Sequence, residues 1–176
     1  DSAISSQRGD FKYPMAYGYA AVGVVRETGT HVDKSLRDRF VFSFQPHTSH
    51  FITSFDAVFP IPESVSPQTA CFLPNMETAV NLVQDGAPIL GEKVLVFGQG
   101  VVGLLTSALL SEFPLDKLST ADFYELRRKA SAQINGIKSF DSSQESFHAD
   151  SSAHAQGKFD LVFELSGSPS ALNDAI

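Results

Sequence analysis

Three glycines in the run Val94-Leu95-Val96-Phe97-Gly98-Gln99-Gly100-Val101-Val102-Gly103 are spaced Gly-x-Gly-x-x-Gly between a short apolar stretch and a helical pattern. That spacing suits a dinucleotide, whose pyrophosphate must come very close to the backbone. A side chain at Gly98 or Gly100 would block the tight turn or the approach, and Gly103 lets the helix pack against the strand. The free N–H groups and positive dipole end of the helix then stabilise the anion without a lysine. Gly98, Gln99, Gly100, Val101, Val102 and Gly103 are therefore the candidate phosphate cradle.

A carboxylate is expected about 20 residues further on, at the tip of the next strand, where it accepts hydrogen bonds from the adenosine ribose. Asp122 stands there, after Leu118-Ser119-Thr120-Ala121 and before a helical stretch beginning near Tyr124. A carboxylate repels a 2′-phosphate, which favours NAD and leaves NADP open. Arg127 and Arg128 are read as a solvated helix face, although either has the charge to meet a phosphate.

Other reactive side chains form weaker patterns. His47 and His50 make a His-x-x-His pair, but no cysteine or third ligand adjoins them, so they read as polar loop residues. His31 has no partner pattern, and His148 and His154 fall in a serine-rich stretch. Cys71, among Ala70, Phe72 and Leu73, reads as a small buried hydrophobe.

The composition bounds these readings. A chain of 176 residues with 43% hydrophobic side chains is long enough for one ordinary domain or two small ones. Its net charge of −7 argues against binding a phosphodiester backbone, which needs a basic face, so nucleic acid is not an expected partner. A single cysteine excludes an intrachain disulfide framework and fits a cytoplasmic location. No apolar run approaches the ~20 residues of a membrane-spanning helix.

The elements that must position the glycine turn fall into two parts. Residues 1–65 are β-rich, with strand-forming stretches at Tyr17–Val25, Arg39–Phe44, Phe51–Thr53 and Ala57–Phe59, and they look like part of a small barrel. Ser66-Pro67 opens a helix, and from Asn75 to Asp85 a second helix carries Met76, Ala79, Val80 and Val83 on one face. Residues 66–176 then read strand, helix, strand, helix, strand: β at Val94, an almost wholly apolar helix from Val101, β to Asp122, a helix from Tyr124 to Gln133, and β at Phe159–Leu165. That order is the signature of a doubly wound parallel α/β sheet. The stretch 139–157 reads as a polar loop. Ser166 and Gly167 end the last strand at the edge that holds the glycine turn, and so border the adenosine side of the crevice.

Several segments resemble the medium-chain dehydrogenase/reductase superfamily, the zinc-type alcohol dehydrogenases and their relatives. They are Gly18-Tyr19-Ala20-Ala21-Val22-Gly23-Val24-Val25, Asp38-Arg39-Phe40-Val41, Gly91-Glu92-Lys93-Val94 through Gly103, and Phe159 through Ser168. Phe44-Gln45-Pro46-His47 and Asn75-Met76-Glu77-Thr78-Ala79 look most like the bacteriochlorophyllide a dehydrogenase branch. The resemblance implies a partial GroES-like barrel domain followed by a partial Rossmann domain, in an internal piece of a homo-oligomeric protein about twice as long. On this reading the early cysteine and His-Glu segments of a zinc site precede Asp1, and the last Rossmann strands follow Ile176. It also implies that Thr78 packs on the nicotinamide, and that Pro74 stands where alcohol dehydrogenases often have a zinc-binding cysteine. Proline cannot ligate, and Glu77 is the nearest alternative, so zinc stays open and no metal residue or catalytic residue is assigned.

The expected function is hydride transfer between a nicotinamide cofactor and a small-molecule alcohol or carbonyl. Two other readings compete: a nucleotide-binding piece without catalysis, and an S-adenosylmethionine-dependent methyltransferase, which the barrel-like segment disfavours.

Overall fold

A computed structural model describes residues 16–137, 139–143 and 159–175. His148 and His154 lie outside them. The chain divides into two compact units, Asp1–Leu73 and Pro74–Ile176.

The first unit holds an antiparallel sheet of three strands, β1 (Ala21–Val24), β2 (Phe40–Ser43) and β3 (Phe59–Pro60), in the order β1-β2-β3. Val22 faces Phe42 and Phe42 faces Phe59 across the ladders. Val41, Phe42 and Ile61 are buried, and the Phe42 ring meets Phe44 edge-on at 5.0 Å. The strand expected at Phe51–Thr53 does not form, and these residues join neither edge of the sheet. Ile52 is left fully exposed, and the following residues curl into a 3₁₀ turn, Phe55–Ala57, whose Ala57 carbonyl accepts from Ser43 Oγ at 2.7 Å. Helix α1 (Pro67–Ala70) starts as expected, with Ser66 Oγ capping the Thr69 N–H and Pro67 in the first turn. It belongs to this first unit, one element beyond the expected boundary at residue 65.

The second unit begins with α2 (Leu73–Gly86) and builds a four-stranded parallel sheet: β4 (Lys93–Phe97), β5 (Lys117–Asp122), β6 (Ser139–Asp141) and β7 (Leu161–Glu164). The strand order is β6-β5-β4-β7. Helices α3 (Val101–Ser111) and α4 (Glu125–Asn135) make the crossovers from β4 to β5 and from β5 to β6, and α5 (Pro169–Ala175) follows β7. The chain thus steps outward twice from β4 and then returns to its other side. That reversal leaves a crevice beyond the carboxyl ends of β4 and β7, where doubly wound sheets bind ligands.

β4 is central, so both its faces need apolar side chains. Val94 and Val96 pack with Val83, Leu110 and Phe163 on one face, while Leu95 and Phe97 pack with Ala121 on the other. All four β4 side chains are at most 1% exposed, each contributing ~1.5–3 kcal/mol by burial. Two expectations change here. β6 forms inside the stretch read as a polar loop, paired by backbone to β5 at Thr120↔Ser139. The buried side of α3 is Gly103, Thr106, Ser107 and Leu110, mostly small residues: the helix lies so near the sheet that small side chains fill most of the contact.

Leu110 is the one large side chain on that buried stripe. Leu110→Ala is expected to cost about 2–5 kcal/mol in urea unfolding, with the transition still cooperative.

Candidate functional site: the glycine turn and the tip of β5

The chain leaves β4 at Phe97 and must reverse into α3 within three residues. Gly98 does this at φ +84°, a conformation that disfavours any side chain, while its N–H extends the ladder to the Ala121 carbonyl at 2.7 Å. A Cβ at Gly98 would lie 2.6 Å from Leu165 C and Ser166 N, the backbone leaving β7. A Cβ at Gly103 would overlap the Gly98 carbonyl oxygen. Packing alone therefore requires both of these glycines.

Gly100 differs from both. It caps α3 at φ −72°, ordinary backbone for any residue, and a Cβ there would meet nothing within 4 Å. The protein itself gives no reason for glycine at this position, and the space beside it adjoins the start of α3. Leu104 N is the first helical donor, bonded to Gly100 O at 2.9 Å, so the N–H groups of Val101, Val102 and Gly103 have no partner within the helix. Open space, unpaired donors and a positive dipole end coincide at this one point.

Asp122 ends β5 beside the turn, 5% exposed. Its Oδ2 accepts from Gln99 N and its Oδ1 from Tyr124 N, both at 2.7 Å. A carboxylate oxygen has two acceptor sites, so each retains one. The Arg127 guanidinium stands 3.7 Å from Oδ2 and 5.0 Å above the Tyr124 ring. Arg128 is only 18% exposed and does quite different work. It donates to the Asp122 and Phe123 carbonyls at 3.0 and 2.7 Å and pairs with Asp141 at 2.8 Å, tying the exits of β5 and β6 together. Arg127 keeps the exposed helix face expected from sequence, whereas Arg128 does not. Hydrogen bonds from Ser143, with the Arg128 charge adding to them, hold the Asp141 carboxyl below the usual carboxylate range. The pair accordingly survives acidification to below the ordinary carboxylate value and is lost as pH falls through the depressed one.

Ser166 and Gly167 leave β7 next to Gly98, both exposed, with Gly167 at φ +67°. The Ser166 hydroxyl is already engaged by Glu164 and by Ser168 N. Gly98, Gln99, Gly100, Val101, Val102, Gly103, Asp122, Ser166 and Gly167 are thus gathered at the carboxyl edge of one sheet. Thr78 is not tied to them: it lies on α2, with its hydroxyl donating to Pro74 O at 3.0 Å.

The remaining candidates do not assemble into a site. His47 backs against Gly18 and its N–H binds Tyr17 O at 2.7 Å, while His50 is exposed with Nδ1 3.3 Å from Ser49 Oγ. Among the described residues no three His, Cys, Asp or Glu side chains cluster as metal ligands. Cys71 is exposed, not buried, because it ends the short α1, none of whose residues is buried. No helix among the described residues is long and apolar enough to cross a membrane.

Comparison with known proteins finds relatives in sequence and in fold. No family model matches the chain. The chain is 25% identical over 120 residues to the L-threonine 3-dehydrogenase of Xanthomonas campestris pv. campestris (strain B100), covering 68% of this chain and 35% of that protein. It is 24% identical over 147 residues to the probable D-xylulose reductase A of Aspergillus fumigatus, covering 66% and 41%. The alcohol dehydrogenase rspB of E. coli CFT073, solved with NADH, shares the fold at a TM-score of 0.70 and 20% identity, over 88% of this chain and 55% of that one. The chain therefore spans little more than a third of the curated relatives it matches.

The three glycines separate into two kinds by substitution. Gly98→Ala and Gly103→Ala should each cost more than about 2 kcal/mol in denaturant unfolding. Gly100→Ala should stay within about 0.5 kcal/mol of the parent.

Proposed function

We propose that this chain belongs to the medium-chain dehydrogenase/reductase superfamily, binds NAD(H) at the glycine turn and serves hydride transfer to or from a small alcohol or carbonyl. The observation that carries the reading is Gly100: its missing side chain opens the space in front of the unpaired N–H groups of Val101, Val102 and Gly103, where a pyrophosphate fits.

The residues divide the work as follows. Gly98 and Gly103 shape the turn, the first N–H groups of α3 take the phosphate oxygens, and the free acceptor sites of Asp122 take the ribose hydroxyls. Ser166 and Gly167 wall the adenosine side, and Thr78 supports the nicotinamide. The Asp122 charge favours NAD over a cofactor with a 2′-phosphate. When bound, the nicotinamide supplies the hydride acceptor or donor. No residue here is assigned to zinc, because the described side chains offer no three-donor set. The whole protein is proposed to be a cytoplasmic homo-oligomer.

Titration of the chain with NADH, followed by cofactor fluorescence, should saturate, whereas S-adenosylmethionine should not bind. Gly100→Ala, with an unchanged fold, should lose NADH affinity by at least about tenfold. Saturable binding of S-adenosylmethionine alone would overturn the proposal.

A further inference from the structure

The peptide between Gly98 and Gln99 has work at both ends. Its carbonyl, Gly98 O, is the atom against which Gly103 packs, and its N–H, on Gln99, donates to Asp122 Oδ2 at 2.7 Å. Gly98, at φ +84° and without a Cβ, leaves its ψ unusually free, so on that side of the peptide only hydrogen bonds fix the orientation. A flip here would turn the carbonyl toward the Asp122 carboxylate and withdraw the N–H from it.

The Gln99 side chain is wholly buried, so its amide is not a contact for a bound phosphate. It folds back beneath its own peptide instead. Nε2 donates to Gly98 O at 3.1 Å and, more weakly, to Val96 O at 3.4 Å, while Oε1 accepts from Ser107 Oγ at 3.4 Å on the buried stripe of α3. Both kinds of amide hydrogen-bonding capacity are thereby used, with the donors on the turn and strand and the acceptor on the helix. An apolar side chain of the same volume would fill the space without holding the carbonyl.

We infer that Gln99 is a positioning residue that latches the Gly98–Gln99 peptide in one orientation, presenting the turn to a dinucleotide's pyrophosphate and keeping the Gln99 N–H on Asp122. The inference rests on the proposed nucleotide site for its functional consequence, but the latch itself exists without ligand.

Two readouts on Gln99→Leu and Ser107→Ala test it. In the ligand-free chain, amide hydrogen exchange at position 99 should accelerate about tenfold in Gln99→Leu, as expected for loss of a buried hydrogen bond, with β4 amides such as Val96 unchanged. Equal acceleration across β4 would mean general loosening and would overturn the latch. In parallel, the dissociation constants of NADH and ADP-ribose should rise by one common factor. Ser107→Ala should give a smaller rise that disappears in the Gln99→Leu background. Parent-like exchange and binding in Gln99→Leu would also overturn the inference while leaving the proposed function standing. A parent chain that binds neither probe removes the proposed function and the positioning role with it. Should Gln99→Leu fail to fold, Ser107→Ala alone must still accelerate Gln99 exchange selectively, and unchanged exchange there would overturn the latch.

Discussion

The second unit is organised by the contact between α3 and the Gly98 carbonyl, which is so close that no side chain fits at Gly103. This contact sets where the helix begins. It also explains why the helix meets the sheet through Gly103, Thr106 and Ser107, which are small enough to let the axis approach. The same closeness encloses the Gln99 amide, and it brings the first turn of α3 to the carboxyl edge of β4. A helix packed farther out on bulky side chains would leave its unpaired N–H groups away from the crevice.

Around that contact the site is built mostly from backbone. The turn borrows one N–H from Gln99 to hold Asp122, Asp122 holds the Tyr124 N–H, and Arg128 holds the two carbonyls that follow β5. Asp122 is therefore structural before it is functional: its two backbone hydrogen bonds fix the relation between the turn and the β5 exit. The acceptor sites they leave free are what the proposed ribose contact uses. Charge-assisted bonds to a nearly buried carboxylate are stronger than neutral ones, so this link is a stiff one. The apolar work is done separately by β4, with Val94 and Val96 on one face and Leu95 and Phe97 on the other.

The features legible in the sequence are those with a strong local cause. The glycine spacing, the continuous apolar β4, the serine-proline start of α1 and the carboxylate at the tip of β5 each follow from backbone geometry within a few residues. What was not legible depends on partners distant in sequence. β6 has three residues and little apolar character, and it forms because β5 offers an edge and Arg128 reaches Asp141. The run Phe51–Thr53 has strand-forming residues, yet it pairs with no strand among the described residues. Arg128 looked like a surface residue because nothing near it in sequence announces the two carbonyls and the carboxylate it binds. The different reasons for the three glycines emerge only from the space around each.

The empty space at Gly100 is the proposed seat of a dinucleotide's phosphates. It is tested most directly by adding ADP-ribose to the isotopically labelled chain and following the backbone amide signals. The largest shifts should fall on Gly100, Val101, Val102 and Gly103, with smaller ones following at Asp122 and Ser166. Saturable shifts confined to the first unit, or absent from the start of α3, would contradict it.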